Sequence, residues 1–518
     1  MSNFMESMSK ELAMNTLQNT ENGALGHTTT SSALLDMNFK VTSYRNLTDD
    51  VIVSDFMKAY DENPVLAMKW LFYARDVRSG LGERRLFRVI LSHFANSDDV
   101  KQFAVASALL DLVAEYGRWD DLFVVSETKL HNQFISIIDK QLLEDYKNME
   151  QGKSVSLLAK WMPSEKSKSA DKRKLAKRLI KDLRLTPKLY RTAMSSLRSY
   201  IDIVEQKMSE NRWDEINYSA VPSRANVIYN KAFWRHDADR RAEFLDKVDS
   251  GEEKINSSVN FPHDIVHMYG FSINNYYGFD KIMVDQAIEE LWKALPDAGE
   301  IDNTLVVSDG SGSMYSRVGN TKVAAVEVAS SLATYFAERC TGQFKNKFIT
   351  FSMTPKLVNI GDGTLLSKIQ NVLKENEVAN TNIEAVFNLI LDTAVNNEMS
   401  QDEMPKNIIV ISDMEFDYMT SDNSYRHGVR KTLFQELGDK YEEHGYRLPR
   451  LIFWNVCSRT NTIPVIQNEL GVNLVSGFSA NTVKMALTGE LDPFKALLSV
   501  INSERYDIVQ KCVEKVLY

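Results

Sequence analysis

Thr304–Met314 reads T-L-V-V-S-D-G-S-G-S-M. A short apolar, β-branched run stops at an aspartate, and two serines then alternate with glycines. The run predicts a buried strand. Gly310 and Gly312 permit the sharp bend that follows it. Asp309, Ser311 and Ser313 lie two residues apart on that bend, a spacing that can aim one carboxylate and two hydroxyls at a single point. These are hard oxygen donors of the kind a small cation such as Mg²⁺ prefers. Taken alone, D-G-S-G-S is an ordinary turn; its surroundings decide between the two readings.

Downstream of this loop, short apolar runs alternate with helical patterns. T-K-V-A-A-V-E-V-A-S-S-L-A-T-Y-F-A-E-R predicts a helix, and N-K-F-I-T-F-S with P-K-L-V-N-I a hairpin. N-I-E-A-V-F-N-L-I-L-D-T-A-V predicts another helix. K-N-I-I-V-I-S-D, R-L-I-F-W-N-V and V-N-L-V-S predict three more strands. Apolar strands without alternation, each followed by a helix, indicate a parallel sheet covered on both faces. Ligands of such sheets collect at the C-terminal ends of the strands, where the Asp309 loop falls.

Two further signals belong to the same half. Thr381 stands in N-T-N just before a helical pattern, and Asp413 closes the strand I-I-V-I-S-D as Asp309 closes its own. A D-x-S-x-S loop, a later Thr before a helix and a later Asp after a strand resemble the von Willebrand factor A family. There the five residues form a metal-ion-dependent adhesion site. The resemblance covers roughly residues 300 to 518. It implies that Asp309, Ser311, Ser313, Thr381 and Asp413 ligate a divalent cation, Mg²⁺ or else Mn²⁺ or Ca²⁺. It also implies a metal short of direct carboxylates, able to accept an acidic group from a protein partner. The predicted hairpin fits that family's antiparallel edge strand. Glu415 and Asp417, just after Asp413, either add acidity near the site or are plain loop charges.

The other half has a different period. Residues 1–30 are rich in Asn, Thr, Ser and Gly and predict a flexible N-terminus. Residues 31–295 read as helices joined by short loops. D-E-N-P-V-L-A-M-K-W-L-F-Y-A-R-D-V-R carries a start signal at Asn63-Pro64, and F-A-V-A-S-A-L-L-D-L-V-A-E-Y-G ends at Gly117, a candidate C-cap. No fixed-period repeat is present, so a HEAT-like array follows from the helical pattern alone. The expected fold class is α plus α/β: a HEAT-like helical array, then a von Willebrand A-like, doubly wound, mostly parallel sheet over residues 296–518.

The 518-residue chain has a formal net charge of −9. That argues against binding polyanions over the whole surface and leaves local patches open. One patch stands out. Residues 153–198 hold fourteen Lys or Arg against Glu165, Asp171 and Asp182. Lys166, Lys168, Lys172, Arg173, Lys174, Lys177, Arg178 and Lys181 are its centre and the candidate RNA-binding residues. Trp161, Tyr190 and Tyr200 flank it and can stack on bases. The bland alternative is a solvated helix face. Arg78, Arg84 and Arg85 can likewise bind phosphate or pair with acids, and Trp119, Trp213 and Trp234 read as core anchors between helices.

Phrases such as G-L-G-E-R-R-L-F-R, Y-G-R-W-D-D-L and N-R-W-D-E-I-N-Y-S-A-V-P-S-R-A resemble an uncharacterised family with a helical N-terminal half and a von Willebrand A-like C-terminal half, found in plants, fungi, bacteria and phages. That architecture is similar to the TROVE-domain Ro ribonucleoproteins. The similarity implies a ribonucleoprotein that binds RNA through basic surfaces, and it is an architectural analogy without matched RNA contacts.

Signals for catalysis are weak. His263-Asp-Ile-Val-His267 resembles the zincin H-E-x-x-H with a shorter acid, and Pro262 marks a helix start rather than a helix middle. There is no G-x-x-x-x-G-K-[ST], and the serines at 311 and 313 are not in G-x-S-x-G. Three widely spaced cysteines, Cys340, Cys457 and Cys512, suit a reducing compartment. No basic-then-apolar leader and no membrane span are expected. The sequence thus predicts a non-enzymatic cytoplasmic protein (host cytoplasm if phage-encoded) that does not engage a membrane.

Overall fold

The computed structural model describes residues 16–270, 282–297, 299–318, 321, 323–351, 354–375, 382–416, 433–458, 462–464, 472–478 and 492–518. The chain folds into two compact units. One comprises residues 1–67, 79–81 and 257–503, the other residues 68–78, 82–256 and 504–518.

The first unit is built on the predicted sheet. It also holds two short strands near the start of the chain, β1 (Leu17–Asn19) and β2 (Leu25–His27). The sheet strands are β3 (Thr304–Asp309), β4 (Lys347–Phe351), β5 (Lys356–Asn359), β6 (Asn407–Ser412), β7 (Arg450–Asn455) and β8 (Val472–Ser476). Their order is β5-β4-β3-β6-β7-β8. All neighbours are parallel except β4 and β5. Val306 sits between Phe348 and Ile409, and Trp454 between Ile411 and Val475. Every residue of β3 and β8 is buried, as expected of strands covered on both faces. The β5 edge alternates between exposed and buried, as an antiparallel edge should.

The chain leaves β3 for β4 on one side and returns to β6 on the other. The strand order therefore reverses between β3 and β6. A crevice opens at such a switch point, beyond the C-terminal ends of the two strands. The helix Ala325–Arg339, buried from Ala325 to Ala337, packs on β3, β4 and β6.

The second unit is a helical array. Its longer members are Arg85–Asn96, Val100–Leu109, His131–Glu150, Ala170–Asp182, Pro187–Tyr200, Ser223–His236 and Ala238–Asp249. Local chemistry sets their starts. Asp99 accepts from the Lys101 and Gln102 amides, and Thr186 caps a helix with Pro187 in its first turn.

Both chain ends cross the division that the periodicity suggests. Residues 17–27, expected to be loosely ordered, form the β1–β2 hairpin of the sheet unit. The last helix, Asp507–Leu517, belongs to the helical unit, where it packs on Val100–Leu109 with Val509 and Val513 buried. Asp76 holds its start by accepting from Arg505 Nη2 (3.0 Å) and the Tyr506 hydroxyl (3.1 Å). Trp119, Trp213 and Trp234 are only half-buried; the fully interior tryptophans are Trp70 and Trp454. Trp213 instead stacks flat on His236, with ring centroids 4.4 Å apart. Among the described residues, no helix is long and apolar enough to cross a membrane.

Candidate functional site

Asp309 ends β3 at the switch point and is 1% exposed. Its Oδ1 accepts the Ser311 amide (2.9 Å) and its Oδ2 the Ser412 hydroxyl (2.6 Å). Ser311 and Ser313 place their hydroxyl oxygens 2.9 Å apart. The D-G-S-G-S bend thus gathers one carboxylate and two hydroxyls, as its spacing predicts.

Asp413 follows β6, next to β3, and is also buried. Its turn is tight. Ser412 Oγ accepts the Met414 amide (2.9 Å), Asp413 Oδ1 accepts the Glu415 amide (3.2 Å), and Met414 takes φ 65°. A left-handed methionine in a buried turn costs about 1–2 kcal/mol. Burial pushes Asp309 up to about 7, and the Asp413 carboxylate adds to the push. Hydrogen bonds from Ser412 and Ser311 oppose it. Asp309 has no cationic side chain beside it among the described residues. A divalent cation would relieve the repulsion, and the donor set is the all-oxygen one such an ion takes. Among the described residues, no group of three or more His, Cys, Asp or Glu forms a metal cage. Hydroxyl donors are therefore needed to complete any site here. Thr381 lies outside the described residues, as does Asp417.

Glu415 resolves as a tether. It is fully buried, and its Oε2 accepts the Glu21 amide (2.9 Å), while its carbonyl accepts Asn22 Nδ2 (2.6 Å). Thr20 Oγ1 donates to the Phe416 carbonyl (2.6 Å). The β1–β2 turn is thereby fastened to the segment that follows Asp413. Neither Ser412 nor this tether was expected from the sequence, although the serine in S-D at the strand end was a usable signal for the first.

The basic stretch folds largely as the helix Ala170–Asp182, which buries Ala176, Leu179 and Ile180. Lys166, Lys168, Lys172, Lys174, Lys177 and Lys181 are exposed, and Arg173 and Arg178 half-buried. Lys174 and Arg178 share Glu127, at 3.6 and 3.0 Å. Arg173 Nη1 donates to the carbonyls of Ser167 and Lys168, both at 2.8 Å. Lys166, Lys168, Lys172, Lys177 and Lys181 make no ion pair with a described residue. The flanking aromatics divide. Tyr190 is buried and donates to the Pro163 carbonyl (2.6 Å), so it cannot stack on a base. Trp161 lies under the Arg118 guanidinium at 4.0 Å. Tyr200 alone is open, at 39% exposed.

His263 and His267 do not form a zincin pair. The helix Pro262–Val266 is one turn long, and His267 begins a separate 3-10 turn. His263 stacks on Phe261, while His267 Nδ1 lies 3.3 Å from Glu327.

Comparison with known proteins places the whole chain. An uncharacterized protein of Acanthamoeba polyphaga mimivirus, L728, is 30% identical across 96% of this chain and 91% of its own length. The chain belongs to that protein's family. Two family models also match, both described as domains of unknown function. One (DUF2828) covers residues 127–298 and the other (DUF7788) residues 303–512. The second contains all five expected metal ligands, the first all eight RNA-binding candidates. Among solved structures, the Ro (RSR) protein of Deinococcus radiodurans aligns over 86% of this chain and 92% of its own, with 12% identity and a TM-score of 0.36. So loose an alignment carries no argument about residues or function.

Proposed function

We propose that the family member described here is a non-enzymatic RNA-binding protein, a ribonucleoprotein component whose sheet unit also holds a divalent cation. The observation that carries the RNA reading is the Ala170–Asp182 helix and its approach. Its apolar face is buried, and five lysines in and just before it are left without acidic partners among the described residues. Such unneutralised charges release counterions when they meet phosphates, which drives binding and makes it salt-sensitive. The test is fluorescence anisotropy with single-stranded and structured RNA between 50 and 200 mM salt. The triple variant Lys172→Gln/Lys177→Gln/Lys181→Gln should lose about tenfold or more in affinity and flatten the log–log salt slope by about 2, at roughly 0.7 per phosphate contact. Salt-insensitive binding, or an unchanged triple variant, refutes the reading.

At the switch point, Asp309, Ser311, Ser313 and Asp413, with Thr381, would hold Mg²⁺, or Mn²⁺ or Ca²⁺. When bound, the ion supplies an electrophilic position able to take an acidic group. The buried Asp309–Asp413 pair favours a second reading, a metal-dependent protein-interaction scaffold that binds no RNA. That reading requires a partner lost on chelation and on Asp309→Ala, and a purified protein free of nucleic acid.

A further inference from the structure

Three arginines of the helical unit, Arg75, Arg88 and Arg118, converge on two aspartates, and a fourth, Arg84, stands one helical turn before Arg88. Arg75 ends the helix Pro64–Arg75, Arg84 and Arg88 stand at the start of Arg85–Asn96, and Arg118 precedes the 3-10 turn Trp119–Val125. Asp121, wholly buried, accepts Arg75 Nε (2.8 Å), Arg88 Nε (2.6 Å) and the Arg118 amide (2.9 Å). Asp120 accepts Arg118 Nε (2.8 Å) and Nη2 (2.7 Å) and lies 2.9 Å from Arg88 Nη2. Both carboxylates are thus committed to three arginines.

Arg84 is the fourth. It is exposed, its carbonyl accepts the Arg88 amide (3.1 Å), and its guanidinium makes no hydrogen bond or ion pair with a described residue. Partial burial and the guanidiniums of Arg118, Arg75 and Arg88 hold it down at about 10, which Asp120 only partly offsets. Arg84 is also the N-cap of a twelve-residue helix with no side-chain cap and no acid in its first turn. Helix N-termini favour anions, through orphan amides and the macrodipole. Here arginines occupy positions 84, 85 and 88 instead. A local rule of stability broken where charge is already in excess points to a ligand that restores it. Arg78 shows the contrast: it pairs with Glu115 at 2.9 Å.

We propose that Arg84, with Arg88 and the first turn of Arg85–Asn96, forms a binding site for a phosphate group. Asp120 and Asp121 fix Arg88 and Arg118 in place, and Arg84 supplies the free fork of donors that matches a phosphate's oxygens. The site goes beyond the RNA reading, because it needs only the phosphate, free or in a nucleic-acid backbone.

The experiment is calorimetric titration of the full chain with inorganic phosphate at constant ionic strength, then with a single-stranded oligoribonucleotide. Wild type should bind phosphate saturably at one site. Arg84→Ala should weaken that binding at least tenfold, while the melting temperature without phosphate stays level or rises as like charges are thinned. Arg84→Lys should restore part of the affinity. The triple lysine variant should bind phosphate within twofold of wild type, so loss of the RNA reading is distinguishable from loss of this site. RNA that displaces phosphate identifies a backbone source, and phosphate that RNA cannot displace identifies a free one; either supports the site. Absence of saturable phosphate binding, or an Arg84→Ala affinity within twofold of wild type, overturns it.

Discussion

Asp121 of the helical unit and Asp309 of the sheet unit are both buried aspartates, yet their surroundings are opposite. Asp121 is enclosed by Arg75 and Arg88 and by the Arg118 amide. Asp309 has an amide, hydroxyls and a second carboxylate. The first charge is answered within the chain. The second is raised toward neutrality by burial and by Asp413, and an ion would answer it. Asp121 is therefore held by cations of its own chain, whereas Asp309 faces a second carboxylate and is held by hydrogen bonds alone. The same logic with reversed sign sets Arg84 apart from Arg75.

The largest effect should come from breaking the internally answered cluster. Asp121→Ala leaves Arg75, 1% exposed, without its carboxylate. Removing one partner of a buried pair typically costs about 3–5 kcal/mol. Urea unfolding should show a loss of that order, and a loss under about 1 kcal/mol would mean that the cluster is not what holds these segments together.

Asp309→Asn tests the other side. Without metal, its stability should equal or exceed that of wild type, because a like-charge contact is removed. Wild type should gain about 2.7 kcal/mol at a Mg²⁺ concentration a hundredfold above Kd, and the variant should gain none. A thermal melt with and without Mg²⁺ reads both. An equal metal response in the two proteins would remove Asp309 from the site.

The third prediction concerns backbone room beside Asp121. Gly117, at φ −121° and ψ −122°, was expected to be a helix C-cap. Its more pressing reason is space, since a Cβ there would fall 2.5 Å from Asp121 Oδ2 and 2.9 Å from Arg75 Nε. Gly117→Ala should cost about 1–3 kcal/mol by overpacking, read by the same unfolding curves. A neutral substitution would show that the Arg75–Asp121 contact can yield.

This difference also explains what the sequence disclosed. Asp309, Ser311 and Ser313 are neighbours on one bend, and Asp413 repeats the strand-then-aspartate pattern on the adjacent strand, so local spacing carries the geometry. The six sheet strands were equally legible, β3, β6 and β7 as apolar runs, β4 and β5 as a hairpin, and β8 as a short apolar stretch interrupted only by Asn473. The arginine–aspartate cluster draws on residues 75, 84, 88, 118, 120 and 121, brought together by packing that no periodicity encodes. G-L-G-E-R-R-L-F-R and Y-G-R-W-D-D-L stood out as phrases, but their pairing is tertiary. The same holds for the chain ends. The β1–β2 hairpin looked like a polar tail because its hydrogen bonds go to Glu415, Phe416 and Ile463, some four hundred residues away.

The smallest effect separates exposed pairing from buried pairing within one neighbourhood. Arg78 Nη1 lies 2.9 Å from Glu115 Oε1, a distance close to those around Asp121, but both side chains are 59% exposed. Water and salt screen such a pair, and holding two long side chains costs entropy, so its worth is typically about 0.2–1 kcal/mol. Arg78→Ala should therefore move the unfolding midpoint by less than about 1 kcal/mol, and its effect should shrink further in 0.5 M NaCl. Arg78 Nη1 also donates to the Glu115 carbonyl at 3.1 Å, so a double-mutant cycle with Glu115→Ala is needed to isolate the charge term. A coupling energy as large as the Asp121→Ala loss would erase the distinction between the two kinds of arginine on which the Arg84 site depends.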